Sequence, residues 1–304
     1  MALNSYTAAL KEADVEKLRQ LLHERGFEFF EKQYAHYTAK KGKLNVTVYQ
    51  KGPKVLIQGK ETEDFVQFVL EPEILGEARL GNEEILMPEM FEPHFGVDES
   101  GKGDFFGPLV VAGVYVDKAS ARSLMDQGVM DSKRISSDVK IGKLAKLIRS
   151  TPGVVWEVIA LRPEKYNELY TKFGNLNRML AWGHARVIAS LAEKVPSCPV
   201  ALSDQFAREE VLQRALEQQG EVVAHIELQQ RTKAESDVAV AAASILARES
   251  FVDWISRASE RGGVTMPLGA SSRVVEAARD IVEKHGSEIL TKITKTHFKT
   301  TQQM

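Results

Sequence analysis

The sequence contains one cysteine, Cys198, among 304 residues. A single thiol excludes an intramolecular disulfide, and the chain has no cysteine and histidine cluster of the kind that binds zinc. No apolar run approaches the ~20 residues of a membrane-spanning helix, and the N-terminus does not follow the pattern of a signal peptide. These absences predict a soluble, cytoplasmic protein with no membrane partner, and nothing in the sequence requires more than a monomer.

The chain also lacks a strong excess of either charge, because its formal net charge is −2. Nucleic-acid-binding domains are often strongly basic, so the net charge does not indicate such a partner. The distribution of charge is more informative. Between residues 33 and 60 there is no acidic residue, but there are six lysines: Lys40, Lys41, Lys43, Lys51, Lys54 and Lys60. Such lysines protect the edge of a sheet or bind phosphates, and both interpretations stay open.

Two common nucleotide-binding motifs are missing. No G-x-x-x-x-G-K-S/T segment occurs, which argues against a nucleoside triphosphate P-loop. The glycines near residue 100 follow the spacing G-x-G-x-x-x-G, and a strand is predicted after them. A dinucleotide-binding fingerprint has a different spacing and is followed by a helix.

The segment that organises the chain spans residues 95–117. It contains two adjacent acids, Asp98 and Glu99, then a glycine turn formed by Gly101, Lys102 and Gly103. The apolar residues 109–116 predict a strand that pairs back on the first. Carboxylates bind cations, and exposed N–H groups with a lysine bind anions, so this pattern indicates metal-assisted phosphodiester hydrolysis. Adjacent strand residues point to opposite faces, so the two acids converge only if the strand ends or bulges there.

Further acids follow along the chain. Asp204 comes at the end of an apolar strand, where active sites of open sheets are usually built, but it could equally cap a helix beginning near Ala207. Glu235 and Asp237 precede a long alanine-rich helix, where an acid also stabilises the helix dipole. Mid-helix His184 has the pattern of a packing residue.

Periodicity predicts an α/β chain with two domains, residues 1–85 and 86–304. In the first domain, helices over residues 13–25 and 63–70 flank strands near residues 27–32, 44–50 and 54–58. In the second domain, strands are predicted at residues 154–161, 200–202 and 222–228. Helices are predicted at residues 176–195, 209–219, 236–261 and 272–285. Early hairpins followed by strand–helix units indicate a mixed sheet with flanking helices.

The segment G-V-D-E-S-G-K-G-D-F-F-G-P resembles the signature of type 2 ribonucleases H, specifically of bacterial ribonuclease HIII. The D-S-K segment containing Ser132 and Lys133, the segment around K-A-E-S-D, and the tail T-K-T-H-F-K-T match family segments as well. The resemblance implies a ribonuclease H-like mixed sheet with flanking helices. It also implies a small N-terminal α+β domain that binds substrate and resembles a repeat of the TATA-box-binding protein.

The resemblance also implies a site. Asp98, Glu99, Asp204 and Glu235 would be catalytic, and the first three would hold two Mg²⁺ or Mn²⁺ ions; Asp237 is a second choice for the fourth acid. The substrate-binding residues would be Gly101, Lys102, Gly103, Ser132 and Lys133. Lys295, His297 and Lys299 of the tail are candidates for contact with the nucleic-acid backbone.

The implied activity is hydrolysis of the RNA strand of RNA–DNA hybrids to 5′-phosphate and 3′-hydroxyl ends. One alternative is excision of single ribonucleotides from DNA, as in ribonuclease HII, where the middle residue of the glycine turn is usually arginine. Lysine occupies that place here. The other alternative is a hybrid-binding protein without catalytic activity.

Overall fold

Two five-stranded sheets, one in each of two units, organise the chain. The units comprise residues 1–88 and 89–304. The computed structural model describes residues 3–76, 87–129, 132, 135, 137–232 and 234–303. Within these residues, no helix is long and apolar enough to cross a membrane.

The first unit contains an antiparallel sheet in the order β1-β5-β4-β3-β2. Its strands are β1 (Ser5–Ala9), β2 (Glu28–Phe30), β3 (Ala35–Lys41), β4 (Leu44–Tyr49) and β5 (Lys54–Gln58). Helix α1 (Glu12–Glu24) and helix α2 (Thr62–Phe65), which continues as a π-helix over Val66–Leu75, provide the apolar partners. Alternate residues of the central strands, such as Val46 and Ile57, are fully buried in one core with Leu18 and Leu22 of α1. One face of the sheet is therefore covered by helices.

The second unit contains a mixed sheet in the order β10-β9-β6-β7-β8. Its strands are β6 (His94–Ser100), β7 (Leu109–Val116), β8 (Val155–Leu161), β9 (Val200–Asp204) and β10 (Glu227–Arg231). β6, β7 and β8 are antiparallel neighbours, whereas β9 runs parallel to both β6 and β10. This arrangement confirms the predicted α/β class and mixed sheet.

Helices cover this sheet on both faces. They are α3 (Lys118–Asp126), α4 (Asp138–Ser150), α5 (Pro163–Phe173), α6 (Leu176–Lys194), α7 (Glu209–Glu217), α8 (Val238–Gly262), α9 (Ser272–His285) and α10 (Ile289–Ile293). The predicted strand at residues 222–228 is wrong, because residues Glu221–Val223 form a 3-10 turn and the strand begins only at Glu227.

Helices α6 and α8 pack on opposite faces of this sheet. Phe95 and Val97 of β6 are buried in one core with residues of α6. On the opposite face, α8 lies directly on β6, because Gly96 has no side chain and a Cβ atom there would overlap the backbone of Ala239 and Val240. Residues Val238–Ala247 of α8 are all buried, and most of them are alanine or valine, which lets the helix approach the sheet closely.

Candidate active site

The acid pair lies in a regular strand. β6 continues through both acids to Ser100, and its pairing with β7 is uninterrupted, with Asp98 opposite Ala112 and Glu99 opposite Val111. The expectation that the strand ends or bulges at the pair is therefore wrong. Because strand residues alternate between faces, Asp98 points toward α8 and Glu99 points toward α6. The two side chains leave the strand on opposite faces, but their carboxylates remain close enough for the charge of Glu99 to raise the pKa of Asp98.

Asp98 is almost completely buried, with 6% of its surface exposed. Its Oδ1 accepts a hydrogen bond from the Glu99 backbone N–H at 2.8 Å, and the Ser244 hydroxyl of α8 is near enough to favour the charged form of its carboxylate. Burial, together with the negative charge of Glu99, raises the pKa of Asp98 to about 7. A carboxylate in this environment gains strongly from a nearby cation, because the cation offsets the cost of burying the charge.

Glu99 is held by a buried histidine whose position within a helix predicted only a packing role. His184 of α6 is fully buried, and its Nε2 lies 3.1 Å from Glu99 Oε2, while its Nδ1 lies 3.0 Å from Ser203 Oγ. Lys102 Nζ lies 3.5 Å from Glu99 Oε1. Burial alone would raise the pKa of Glu99, but the contacts with His184 and Lys102 outweigh it and lower the pKa below its ordinary value.

Asp204 lies beside Asp98. The parallel pairing of β6 and β9 ends at Val97 with Ser203, so Asp98 and Asp204 are the next residues along the two adjacent strands. Ser203 faces α6 through its contact with His184, so Asp204 faces α8, on the same side as Asp98. Its Oδ1 accepts a hydrogen bond from the Ala234 N–H at 3.3 Å. The alternative role as a helix cap is wrong, because α7 begins at Glu209 and Arg208 is its N-cap.

The structure gives Glu235 and Asp237 different surroundings. Asp237 caps α8: its Oδ1 accepts hydrogen bonds from the N–H groups of Ala239 at 2.8 Å and Val240 at 3.2 Å. The same oxygen lies 3.0 Å from Nε2 of buried His94. Glu235 is half-buried in the 3-10 turn Ala234–Ser236, and the first residue of that turn bonds to Asp204. Asp237 therefore acts as a helix cap, whereas Glu235 lies in the turn that bonds to Asp204.

The donors fit a hard divalent cation, since they are carboxylate oxygens at the carboxyl ends of neighbouring strands. Among the described residues, however, no three acids, histidines or cysteines form a ready-made metal site. Each acid of the strands has a different partner instead: Asp98 lies near the Ser244 hydroxyl, Glu99 bonds to His184 and Asp204 to Ala234.

The glycine turn follows β6 directly. Gly101 has a φ of +86°, and a Cβ atom there would overlap the carbonyl of Pro108, so both its conformation and its packing require glycine. Nothing lies within 4 Å of the position that a Cβ atom of Gly103 would occupy. The backbone at Gly103 is therefore open to a ligand, while Lys102 keeps its ammonium near Glu99 and 5.7 Å from the ring of Phe206.

Ser132 and the tail differ from their expected surroundings. Ser132 is buried, with its hydroxyl 2.6 Å from Ser244 Oγ, so it adjoins Asp98 through Ser244. Lys133 lies outside the described residues. Lys295 is fully buried, so its expected contact with a nucleic-acid backbone is wrong, and His297 stacks on Tyr170 at 4.1 Å between ring centroids. Lys299 is exposed.

The six lysines between residues 33 and 60 are all exposed, but they do not form one stripe. By strand alternation, Lys40 of β3 and Lys54 of β5 lie on the sheet face opposite the helices. Phe30, which is 45% exposed, lies 5.2 Å from Lys40 Nζ on that face. The other four lysines occupy turns and strand ends.

Two family models match the chain: Ribonuclease HII over residues 95–301 and Domain of unknown function (DUF3378) over residues 8–77. Ribonuclease HIII of Chlamydia pneumoniae is 47% identical over 285 residues, which cover 93% of this chain and 92% of that protein. Ribonuclease HIII of Chlamydia trachomatis serovar D is 42% identical over 299 residues, covering 98% of this chain and 96% of that protein.

Solved structures give the same result. The crystal structure of Bst-RNase HIII in complex with Mn²⁺ matches with a TM-score of 0.66 at 29% identity, and the match covers 98% of this chain and 97% of that one. Similarity of this degree over almost the whole length, in sequence and in fold, shows that the chain belongs to the ribonuclease HIII family and is a nuclease.

Proposed function

We propose that the chain hydrolyses the RNA strand of RNA–DNA hybrids with the aid of two divalent ions, Mg²⁺ or Mn²⁺, and leaves 5′-phosphate and 3′-hydroxyl ends. The observation that carries the proposal is the parallel register of β6 and β9. Val97 pairs with Ser203, so Asp98 and Asp204 are the next residues of two adjacent strands, and Asp204 bonds to the turn that contains Glu235, which supports a shared site. The open glycine turn begins just beyond the acid pair.

In this proposal Asp98, Glu99 and Asp204 hold the cations, and Glu235 assists from the adjacent turn. When bound, such ions supply a hydroxide at neutral pH and stabilise the leaving oxygen. Because its pKa is raised to about 7, Asp98 would be partly protonated near neutral pH and would release that proton if a cation occupied the site. His184 keeps the Glu99 carboxylate oriented from the α6 side.

The glycine turn accounts for recognition of RNA. Contacts to a ribose 2′-hydroxyl distinguish RNA from DNA, and a backbone N–H or C=O can make them only where no side chain intervenes. Gly103 offers that access, and Lys102 supplies a positive charge for a phosphate. Residues 1–85 serve as a second grip on the duplex, with Lys40, Lys54 and Phe30 on the sheet face away from the helices.

A cleavage assay tests the proposal. With Mg²⁺ or Mn²⁺, the wild type should cut the labelled RNA strand of a hybrid, and Asp98→Asn should lose activity by about a thousandfold or more, because one charge and one ligand are removed. Asp253→Asn, at a partly exposed acid of α8 that pairs with Arg257, is the matched control and should cut normally. Ligation of the products identifies their end groups. If Asp98→Asn cuts as well as the wild type, the metal site is misassigned.

A DNA duplex with one embedded ribonucleotide distinguishes hybrid cleavage from the alternative activity, excision of single ribonucleotides. Lysine at position 102 and the additional N-terminal unit argue for hybrids with several ribonucleotides, and we expect the single-ribonucleotide duplex to be cut poorly. Efficient cutting of that duplex would favour excision of the ribonuclease HII type. A non-catalytic hybrid-binding protein disagrees with membership of a nuclease family.

A further inference from the structure

Lys295 is a fully buried lysine whose ammonium group is surrounded by backbone carbonyls. Its Nζ donates hydrogen bonds to the carbonyl oxygens of Asp104 at 2.9 Å, Phe106 at 3.3 Å and Gly107 at 2.7 Å. The rings of Tyr166 and Phe251 lie 5.5 and 5.9 Å from the same nitrogen. An ammonium group has three donors, and all three are directed at one short segment, residues 104–107.

Residues 104–107 immediately follow the glycine turn. Three backbone–backbone hydrogen bonds also tie the segment to the C-terminal part of the chain: Phe105 N–H to the Gly269 carbonyl, Lys295 N–H to the Phe105 carbonyl, and Gly107 N–H to the Ile293 carbonyl. On its other side, the glycine turn begins at the end of β6. The turn is therefore fixed at both ends, with Lys295 at the centre of the attachment on its C-terminal side.

This attachment comes at a cost in stability. Burial lowers the pKa of Lys295 to about 7, against which the charge of Asp104 acts only partly. An apolar side chain of similar length would avoid that cost. It would also leave three buried carbonyl groups without the donor that now orients them. The lysine is thus better suited to specifying the conformation of residues 104–107 than to stabilising the fold.

We propose that Lys295 is a positioning residue that holds the glycine turn in the conformation that binds substrate, without contacting the substrate itself. The proposal rests on the proposed function, because it assigns to the turn the recognition of the RNA strand. Asn167 of α5 fixes the backbone on either side of this lysine. Its side chain donates to the Thr294 carbonyl at 2.9 Å and accepts from the Thr296 N–H at 3.0 Å.

The test compares Lys295→Met with Lys292→Met, which removes the same charge from an exposed position three residues earlier. For Lys295→Met we expect kcat/KM on an RNA–DNA hybrid to fall about tenfold or more, mainly through KM. The temperature of unfolding should fall, because three buried carbonyls lose their donor, but the Mn²⁺ concentration for half-maximal activity of the folded protein should stay close to the wild-type value. Lys292→Met should match the wild type in every measurement.

Hydrogen exchange gives a readout that does not depend on activity. Amide exchange in residues 101–107 should become faster in Lys295→Met, while exchange in α8 should not change. Unchanged exchange together with unchanged kcat/KM would overturn the proposal. If the wild type does not cut hybrids but exchange in the turn still depends on Lys295, then the proposed substrate is wrong and the positioning role of Lys295 stands.

Asn167→Ala provides an independent variant, which decides the matter if Lys295→Met does not fold. It keeps the lysine but removes two bonds that hold its neighbours. Exchange in residues 101–107 should rise and kcat/KM should fall, each by less than in Lys295→Met. A folded Asn167→Ala protein that matches the wild type in both respects would count against the proposal.

Discussion

The two sheets of this protein have the same number of strands but differ in whether their charged side chains are exposed or buried. In the antiparallel sheet of the first unit, the lysines are exposed and every fully buried strand residue of the core is apolar. In the mixed sheet of the second unit, the charged residues Asp98 and Glu99 are almost buried and have defined hydrogen-bond partners.

This difference matches two kinds of task. A surface that attracts a polyanion works through long-range, salt-screened interactions and needs no exact geometry. A site that positions reacting atoms needs side chains fixed by neighbouring groups, and burial strengthens each electrostatic contact. If the comparison holds, single substitutions at the acids of the mixed sheet should greatly reduce cleavage activity. Substitutions on the lysine-bearing face should change hybrid binding only slightly and in a salt-dependent way.

The two acids that precede α8 should give the largest contrast. Glu235→Ala should lower kcat on a hybrid about a hundredfold with little change in stability, whereas Asp237→Ala should leave the cleavage rate of the folded protein nearly intact. Loss of the helix cap should cost the second variant about 1 kcal/mol or more of unfolding free energy. The measurements are single-turnover cleavage and urea unfolding. The reverse pattern would make Asp237 the fourth acid.

The cost of Asp237→Ala should also depend on pH. Burial alone would lower the pKa of His94, but its contacts with Asp237 and the Glu92 carbonyl outweigh burial and raise it. A raised pKa in the folded state adds stability below the ordinary pKa of 6.5, and that stability disappears as the pH rises through the folded-state pKa. Urea unfolding of both proteins should therefore differ more at acidic than at alkaline pH.

His184 should have an intermediate effect. Removing a residue that orients a metal ligand typically costs 10–100-fold in metal affinity or activity, so His184→Ala should raise the Mn²⁺ requirement by about that factor. His184→Gln, which can still donate to Glu99, should recover part of the loss. A fall in activity without any change in the metal requirement would show that His184 acts only in packing.

The smallest effect belongs to the lysine-bearing sheet. Lys40→Ala combined with Lys54→Ala should weaken hybrid binding a few-fold and reduce the slope of log affinity against log salt by about 1–2, because up to two phosphate contacts are lost. Lys11→Ala combined with Lys17→Ala removes the same charge from exposed positions beside and on α1 and serves as control. Equal effects of the two pairs would mean that net charge, rather than this sheet face, accounts for binding.

The elements that were predicted from sequence are those with strong local patterns. The apolar run of β7 and the helices ended by glycine, including α9, lie where the periodicity places them. β1 and β3 were missed because S-Y-T-A-A and A-H-Y-T-A-K-K contain few branched apolar residues, and pairing with neighbouring strands stabilises them.

The site could be predicted only in part, for a related reason. The acids come at recognisable points in the sequence, but the contact between Glu99 and His184 joins residues 85 positions apart. That contact depends on how α6 lies on the sheet, which no local pattern encodes. Lys295 is a clearer case, because a lysine in a polar tail is normally exposed, and only the inward-facing carbonyls of residues 104–107 explain its burial.

The missing side chain of Gly96 has a consequence for the geometry of catalysis. The same helix that rests on this glycine carries Ser244, the partner of Asp98, and starts directly after the turn containing Glu235. A methyl group at position 96 would push α8 away from the sheet. Ser244 and the turn containing Glu235 would then move away from the acids of β6 and β9. Glycine at position 96 thus determines how closely α8, with Ser244 and the turn before its first residue, can approach the acids of β6 and β9.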